Sequence, residues 1–184
     1  VSERLRHKDR AIALWGYERL ILEAFPKIYK ARCLNHTRYE MNEDGSGIYR
    51  EVAGGHVTVV CIANQQYQNY RDPLRPYVSL GVLTDIDAFL KSRFSCFVVP
   101  HVINPEFEEV QVVCKVNFTE GSDETYCEEQ MNTAIMQFLS PWAFPGGGNP
   151  TFGGKVYKST LINFVEDLSY VNYVSDFQLF HSYI

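Results

Sequence analysis

Apolar residues recur along this chain with two different periods, and the changes of period mark out its elements. In residues 14–25, Leu14, Tyr17, Ile21 and Ala24 share the spacing of one helical face, with Glu18, Arg19 and Glu23 between them. Pro26 ends that helix, because proline offers no N–H and its ring crowds the preceding turn. Gly16 weakens the helix's first turn. Residues 28–34 alternate, with Tyr29, Ala31 and Cys33 on one side and Lys30 and Arg32 on the other, which predicts a strand. Residues 42–47 form a loop rich in side chains that tolerate positive φ. The nearly all-apolar run at 57–62 predicts a central strand covered on both faces. Residues 64–77, polar and aromatic with Pro73 and Pro76, read as a crossing loop. Residues 84–95 read as a second helix: Thr84 is its cap, Asp85 and Asp87 suit its N-terminal dipole end, and Lys91 and Arg93 suit its C-terminal end.

The second half repeats these signals. Residues 97–103 and 108–118 predict a strand pair joined through Asn104 and Pro105. The later strand has the cleanest alternation in the chain: Val110, Val112, Cys114, Val116 and Phe118 face one way, and only Val113 breaks the pattern. A helix follows at 123–139, capped by Ser122 or Asp123, with Cys127, Met131, Ala134 and Phe138 as its stripe. Pro141 stops it. A loop at 142–154 carries five glycines and two prolines. A helix at 156–168, with Tyr157, Leu161, Phe164 or Val165, and Leu168 inward, leads to a strand at 170–180 that bends near Ser175 and Asp176.

The element order, αββα and then ββααβ, predicts an α+β fold of two small modules, residues 1–95 and 96–184. Mixed or antiparallel sheets carry helices packed on one face. Helix-to-strand segments at 18–29 and 159–170 align without a gap, pairing Leu20 with Leu161, Ile21 with Ile162 and Tyr29 with Tyr170. This is a weak internal repeat that the shared helix-to-strand physics also explains.

Composition sharpens this picture in one respect. The 184 residues carry a net charge of -5, which argues against a nucleic-acid binder held by a broad basic field. The charge is uneven: residues 1–92 hold 13 Lys and Arg against 11 Asp and Glu, whereas residues 93–184 hold 4 against 11. The two halves therefore differ in surface character. No apolar run approaches the roughly 18 residues of a membrane helix. Five cysteines, none closer than 13 residues to the next, offer no CxxC spacing and suit reduced, buried thiols. The charged start, the missing initiator Met and an end inside apolar, strand-like sequence read as a piece of a longer protein.

Candidate chemistry is sparse. In the glycine-rich loop, a phosphate-binding spacing would need Gly at position 149, which is Asn, and Ser or Thr at 156, which is Val. His7, His36, His56, His101 and His181 form no HxH or HExxH pattern, so metal binding would have to gather distant ligands. There is no GxSxG. Cys96 is followed by a strand containing His101, but five residues apart on an extended strand the two face opposite ways. Glu108–Glu109 and Glu128–Glu129 read as solvated faces. No cofactor and no catalytic residue emerges. Aromatic side chains on loops, Tyr67, Tyr70, Trp142 and Phe144, are candidate partner contacts or lids over their own module. Glu128 and Glu129 join them as candidate contacts on the acidic half.

Several short motifs occur in a distinctive order: Arg10-Ala-Ile, Tyr17-Glu-Arg-Leu20, Val102-Ile-Asn-Pro105, Phe138-Leu-Ser-Pro-Trp142, Phe152-Gly-Gly-Lys-Val-Tyr-Lys-Ser159 and Tyr170-Val-Asn-Tyr-Val174. Together they resemble the repeat region of baseplate J-like proteins, wedge components of contractile phage tails and related contractile injection systems. Ala13 and Gly16 depart from that pattern at the helix start, where Thr and Asp are usual and bear on its capping, and Asn172 stands where Asp is common. The resemblance implies a structural, non-enzymatic role. The chain would be an arm of a wedge subunit bound to other baseplate subunits and to further copies within a wedge. It would be assembled in the bacterial cytoplasm into a phage-tail-like particle. The residues themselves leave two other readings open: a cysteine hydrolase using Cys96 or Cys127, and a small-ligand or carbohydrate-binding module using Trp142.

Overall fold

The computed structural model describes residues 13–41, 47–65, 72–144, 150 and 152–182. The chain divides into two units, Val1–Pro105 and Glu106–Ile184. Among the described residues the first contains α1 (Leu14–Ala24), β1 (Ile28–Asn35), β2 (Arg38–Met41), β3 (Gly47–Arg50), β4 (His56–Ala63), α2 (Leu80–Lys91) and β5 (Val99–Ile103). The second contains β6 (Glu109–Phe118), α3 (Glu124–Leu139), a 3-10 turn (Pro141–Ala143), α4 (Lys158–Glu166) and β7 (Val171–Ser182). The α+β class follows from these small mixed and antiparallel sheets.

In the first unit a three-stranded sheet has the order β1-β4-β5. Val57 through Ala63 are all buried, which is why that stretch reads as an unbroken apolar run. Strand β1 pairs antiparallel with β4, placing Ala31 opposite Cys61 and Cys33 opposite Val59. Helix α1 packs on β1 and α2 on β5. Between them lie Ile21, Val59, Cys61, Ile86 and Leu90, none more than 0% exposed. Two edge-on ring pairs close this core, Tyr17 with Phe94 at 4.5 Å and Phe25 with Phe89 at 5.3 Å between centroids. The Glu18 carboxylate accepts the Cys33 N–H at 3.1 Å and lies 3.6 Å from Arg32, tying α1 to β1. The hydroxyl of Thr58, the buried polar residue of this core, donates to the Thr37 carbonyl at 2.9 Å. That bond answers the cost of burying it.

Strand β5 corrects the sequence reading. Residues 97–103 do not pair with 108–118. Strand β5 instead lies parallel to β4, with Val57 beside Pro100 and Val59 beside Val102. A parallel partner needs a long crossover, and the segment bearing α2 supplies it. Pro100 is tolerated because β5 is an edge strand. The unit boundary accordingly falls after Pro105 and not after residue 95, and the first unit gains a strand that the second loses. The β2–β3 hairpin was also missed; the loop at its tip lies outside the described residues. The second helix begins four residues earlier than expected, with Ser79 at the N-cap position. Thr84 sits inside the helix and donates to the Leu80 carbonyl.

The second unit is a two-stranded antiparallel ribbon, β6 with β7. Helix α4 packs on β7 and α3 against α4. Met131, Ile135, Val165 and Val171 form its centre. The alternation on β6 is as expected, but its inward residues Val110, Val112, Cys114, Val116 and Phe118 are only half-buried. Asp123 caps α3 by accepting the Thr125 and Tyr126 N–H groups. The buried stripe of α3 is Cys127, Met131 and Ile135. Phe138, expected inward, is 41% exposed and stacks on Phe164 at 4.5 Å. Tyr157, also expected inward, precedes α4 and is 61% exposed. The bend near Ser175 and Asp176 is a bulge: β6 advances from Val113 to Lys115 while β7 passes from Gln178 to Ser175. Asp176 absorbs it with φ of 50°, a left-handed conformation in which Asp is more at home than most residues. Its carboxylate lies 2.7 Å from the Lys115 ammonium.

Candidate functional site

The residues singled out from sequence as partner contacts fall into three settings. Tyr67 and Tyr70 lie outside the described residues, as do residues 145–149 and 151 of the glycine-rich loop. Trp142 and Phe144 are half-buried at the end of α3, and the Trp142 ring lies 5.6 Å from Phe107, tilted by 42°. Trp142 thus covers part of its own unit while keeping an exposed edge. Glu128 and Glu129 are exposed, on α3 beside the buried Cys127, and Glu124 in the first turn adds to the same acidic helix. The second unit as a whole carries 3 Lys and Arg against 11 Asp and Glu; the first carries 14 against 11.

The cysteines are poorly placed for nucleophilic work. Burial pushes the Cys33 and Cys61 thiols up to about 12, with Glu18 adding to the effect at Cys33. Burial also raises Cys114. A nucleophilic thiol needs the opposite shift. Cys127 is buried in the second unit and Cys96 is exposed ahead of β5.

The structure brings together two histidines that the sequence reading did not join. His56 opens β4, and His101 sits mid-way along β5. Their Nδ1 and Nε2 atoms are 2.9 Å apart, with the rings near-parallel at 26° and 5.2 Å between centroids. Parallel pairing sets His101 beside Thr58, two residues along β4 from His56 and on the same face. The signal that would have found this is the strand–helix–strand order of residues 57–103, which prescribes a parallel neighbour. His101 titrates below its ordinary range, first because of burial and then because of the charge on His56. On β2, Glu40 accepts from the Arg50 Nε at 2.9 Å and lies 3.0 Å from Arg38. The Arg50 hydrogen bond holds its carboxyl below the usual range. Two imidazoles in mutual contact can share a proton, but they do not compose a triad or a ligand shell. Among the described residues, no three His, Cys, Asp or Glu side chains gather as metal ligands, and no helix is long and apolar enough to cross a membrane.

No curated protein matches the chain. One chain of the solved baseplate of the anti-feeding prophage, a six-fold symmetrised cryo-EM structure, shares the fold with a TM-score of 0.70. The two are 23% identical over 98% of this chain and 36% of that one. This chain thus spans about a third of the length of that baseplate chain. The model of one family, described as baseplate protein PVC11-like, matches residues 1–183. With the match running through both units, the chain belongs to the PVC11-like baseplate proteins, and is a structural baseplate component.

Proposed function

We propose that this chain is one arm of a baseplate wedge subunit in a contractile injection system, related to the baseplate J-like proteins, and that it joins neighbouring subunits without catalysing a reaction. The observation that carries this reading is the family match across residues 1–183. The motif order from Tyr17 to Val174 supports the narrower wedge assignment, and the likeness to an anti-feeding prophage baseplate chain supports the contractile device. The unlike charge of the two units supplies a physical basis for choosing different neighbours, other baseplate subunits and further copies in the wedge among them. Trp142, Phe144, Tyr67, Tyr70, Glu128 and Glu129 are the contacts proposed. Assembly in the bacterial cytoplasm precedes incorporation into a phage-tail-like particle.

The test reverses charge at two exposed positions. Glu128→Lys and Glu129→Lys together, in the full-length protein, are expected to reduce the number of complete baseplates seen by electron microscopy while circular dichroism stays unchanged. Full assembly by the double variant would remove these two residues from the interface. Complete, functional particles in cells lacking the protein would overturn the baseplate role itself.

A further inference from the structure

We propose that His56 and His101 form an acid-released clasp that holds the edge strand β5 to the central strand β4. The geometry carries the argument. Their 2.9 Å contact between Nδ1 and Nε2 needs one N–H donor and one bare nitrogen. That is the state of two neutral rings, or of a pair sharing a single extra proton. When both rings are protonated, N–H meets N–H, the hydrogen bond is lost and two positive charges stand in contact.

The surrounding groups set the balance. From β2, Arg38 opposes a charge on His101, and Glu40, whose carboxyl feels His56, is itself held by Arg50 of β3. From α2, Asp87 favours a charge on His101 and Lys91 opposes it, and these two are ion-paired with each other. Burial and the neighbouring ring weigh most at His101, so it gives up its proton more readily in the folded chain than in the unfolded one. The sign follows. A cationic group whose pKa is lowered by folding costs stability on acidification, from the unfolded value of about 6.5 downward. The strand that feels this is short, five residues, and is bonded to the sheet along one edge only. Its first backbone tie is the Val99 N–H to the Gly55 carbonyl at 2.8 Å, next to His56.

The experiment is NMR on the full chain. Nitrogen-15 spectra of the imidazoles are expected to show two titration steps for the pair, the second below the ordinary histidine range. Independent titration of both rings at ordinary values would overturn the clasp. Hydrogen-exchange protection of the Val99 amide, taken relative to β1 amides, is expected to fall about three- to tenfold between about pH 7.5 and about pH 5, the worth of one lost hydrogen bond. His101→Gln keeps a neutral hydrogen-bonding side chain and should flatten that dependence, while His181→Gln on β7 should leave it as in the natural chain. Unchanged protection across this range, or an equal fall in His101→Gln, would contradict the proposal; the imidazole spectra decide independently of whether the variant folds.

Discussion

The two units are built from similar parts and reach different degrees of closure. In the first, β4 is covered on both faces, and among the described residues five apolar core side chains and Thr58 are wholly excluded from solvent. In the second, a ribbon of two strands is backed by two helices, and no inward residue of β6 is fully buried. The first holds nearly balanced charge while the second is strongly acidic. On the half-covered ribbon, covering half-buried apolar surface on association would still release water from it.

Truncating each core breaks this comparison most forcefully. Ile86→Ala removes a side chain that is 0% exposed and is expected to cost about 2–5 kcal/mol in urea unfolding of the first unit. Val112→Ala on half-buried β6 is expected to cost about 1 kcal/mol. Equal costs would show the two cores to be equally closed.

A smaller effect is expected at the α3 cap. Asp123→Ala leaves the Thr125 and Tyr126 N–H groups without that acceptor and should lower the second unit's stability by about 1 kcal/mol. The measurement is local hydrogen exchange in α3; loss in the first unit instead would mean the units do not unfold separately. Thiol labelling sharpens the contrast without perturbing either core. Near pH 8, a disulfide reagent should modify exposed Cys96 first, while Cys33 and Cys61, with thiols pushed up to about 12, react only on opening. Fast labelling of Cys61 would show the first core to be looser than its packing implies. The smallest effect belongs to Lys115→Ala. The ion pair with Asp176 is solvent-exposed, so thermal stability should change by no more than about 0.5 kcal/mol. A larger loss would assign the pair a part in holding the β7 bulge.

Local structure was legible from the sequence wherever one residue's neighbours decided it. Alternation on β6, the Asp123 cap, the bend at Asp176 and the apolar run of β4 all follow from side-chain type and spacing. The uncapped start of α1 was equally visible, since Ala13 offers no side-chain acceptor. What failed was long-range pairing. Residues 97–103 and 108–118 are adjacent in sequence and read as a hairpin, yet β5 gains more by entering the sheet beside β4, where α2 can cover it. With that pairing missed, the His56–His101 contact was invisible, because its partners lie 45 residues apart. Thr84 misled because a Thr followed by acidic residues looks like a cap, whereas the helix extends back through Leu80, which is 81% exposed and gives no periodic signal. The contact residues stand differently. Exposure of Glu128 and Glu129 and the tilt of Trp142 on Phe107 describe surfaces, and a surface acquires its role from what docks on it.

The central claim, that this chain builds a baseplate, is tested most directly by cryo-electron microscopy of the contractile particle purified from cells that make the full-length protein. Baseplate density is expected to accept both units, the β1-β4-β5 sheet with its helices and the β6–β7 ribbon with α3 and α4. A complete, well-resolved baseplate with every density assigned to other chains would contradict it.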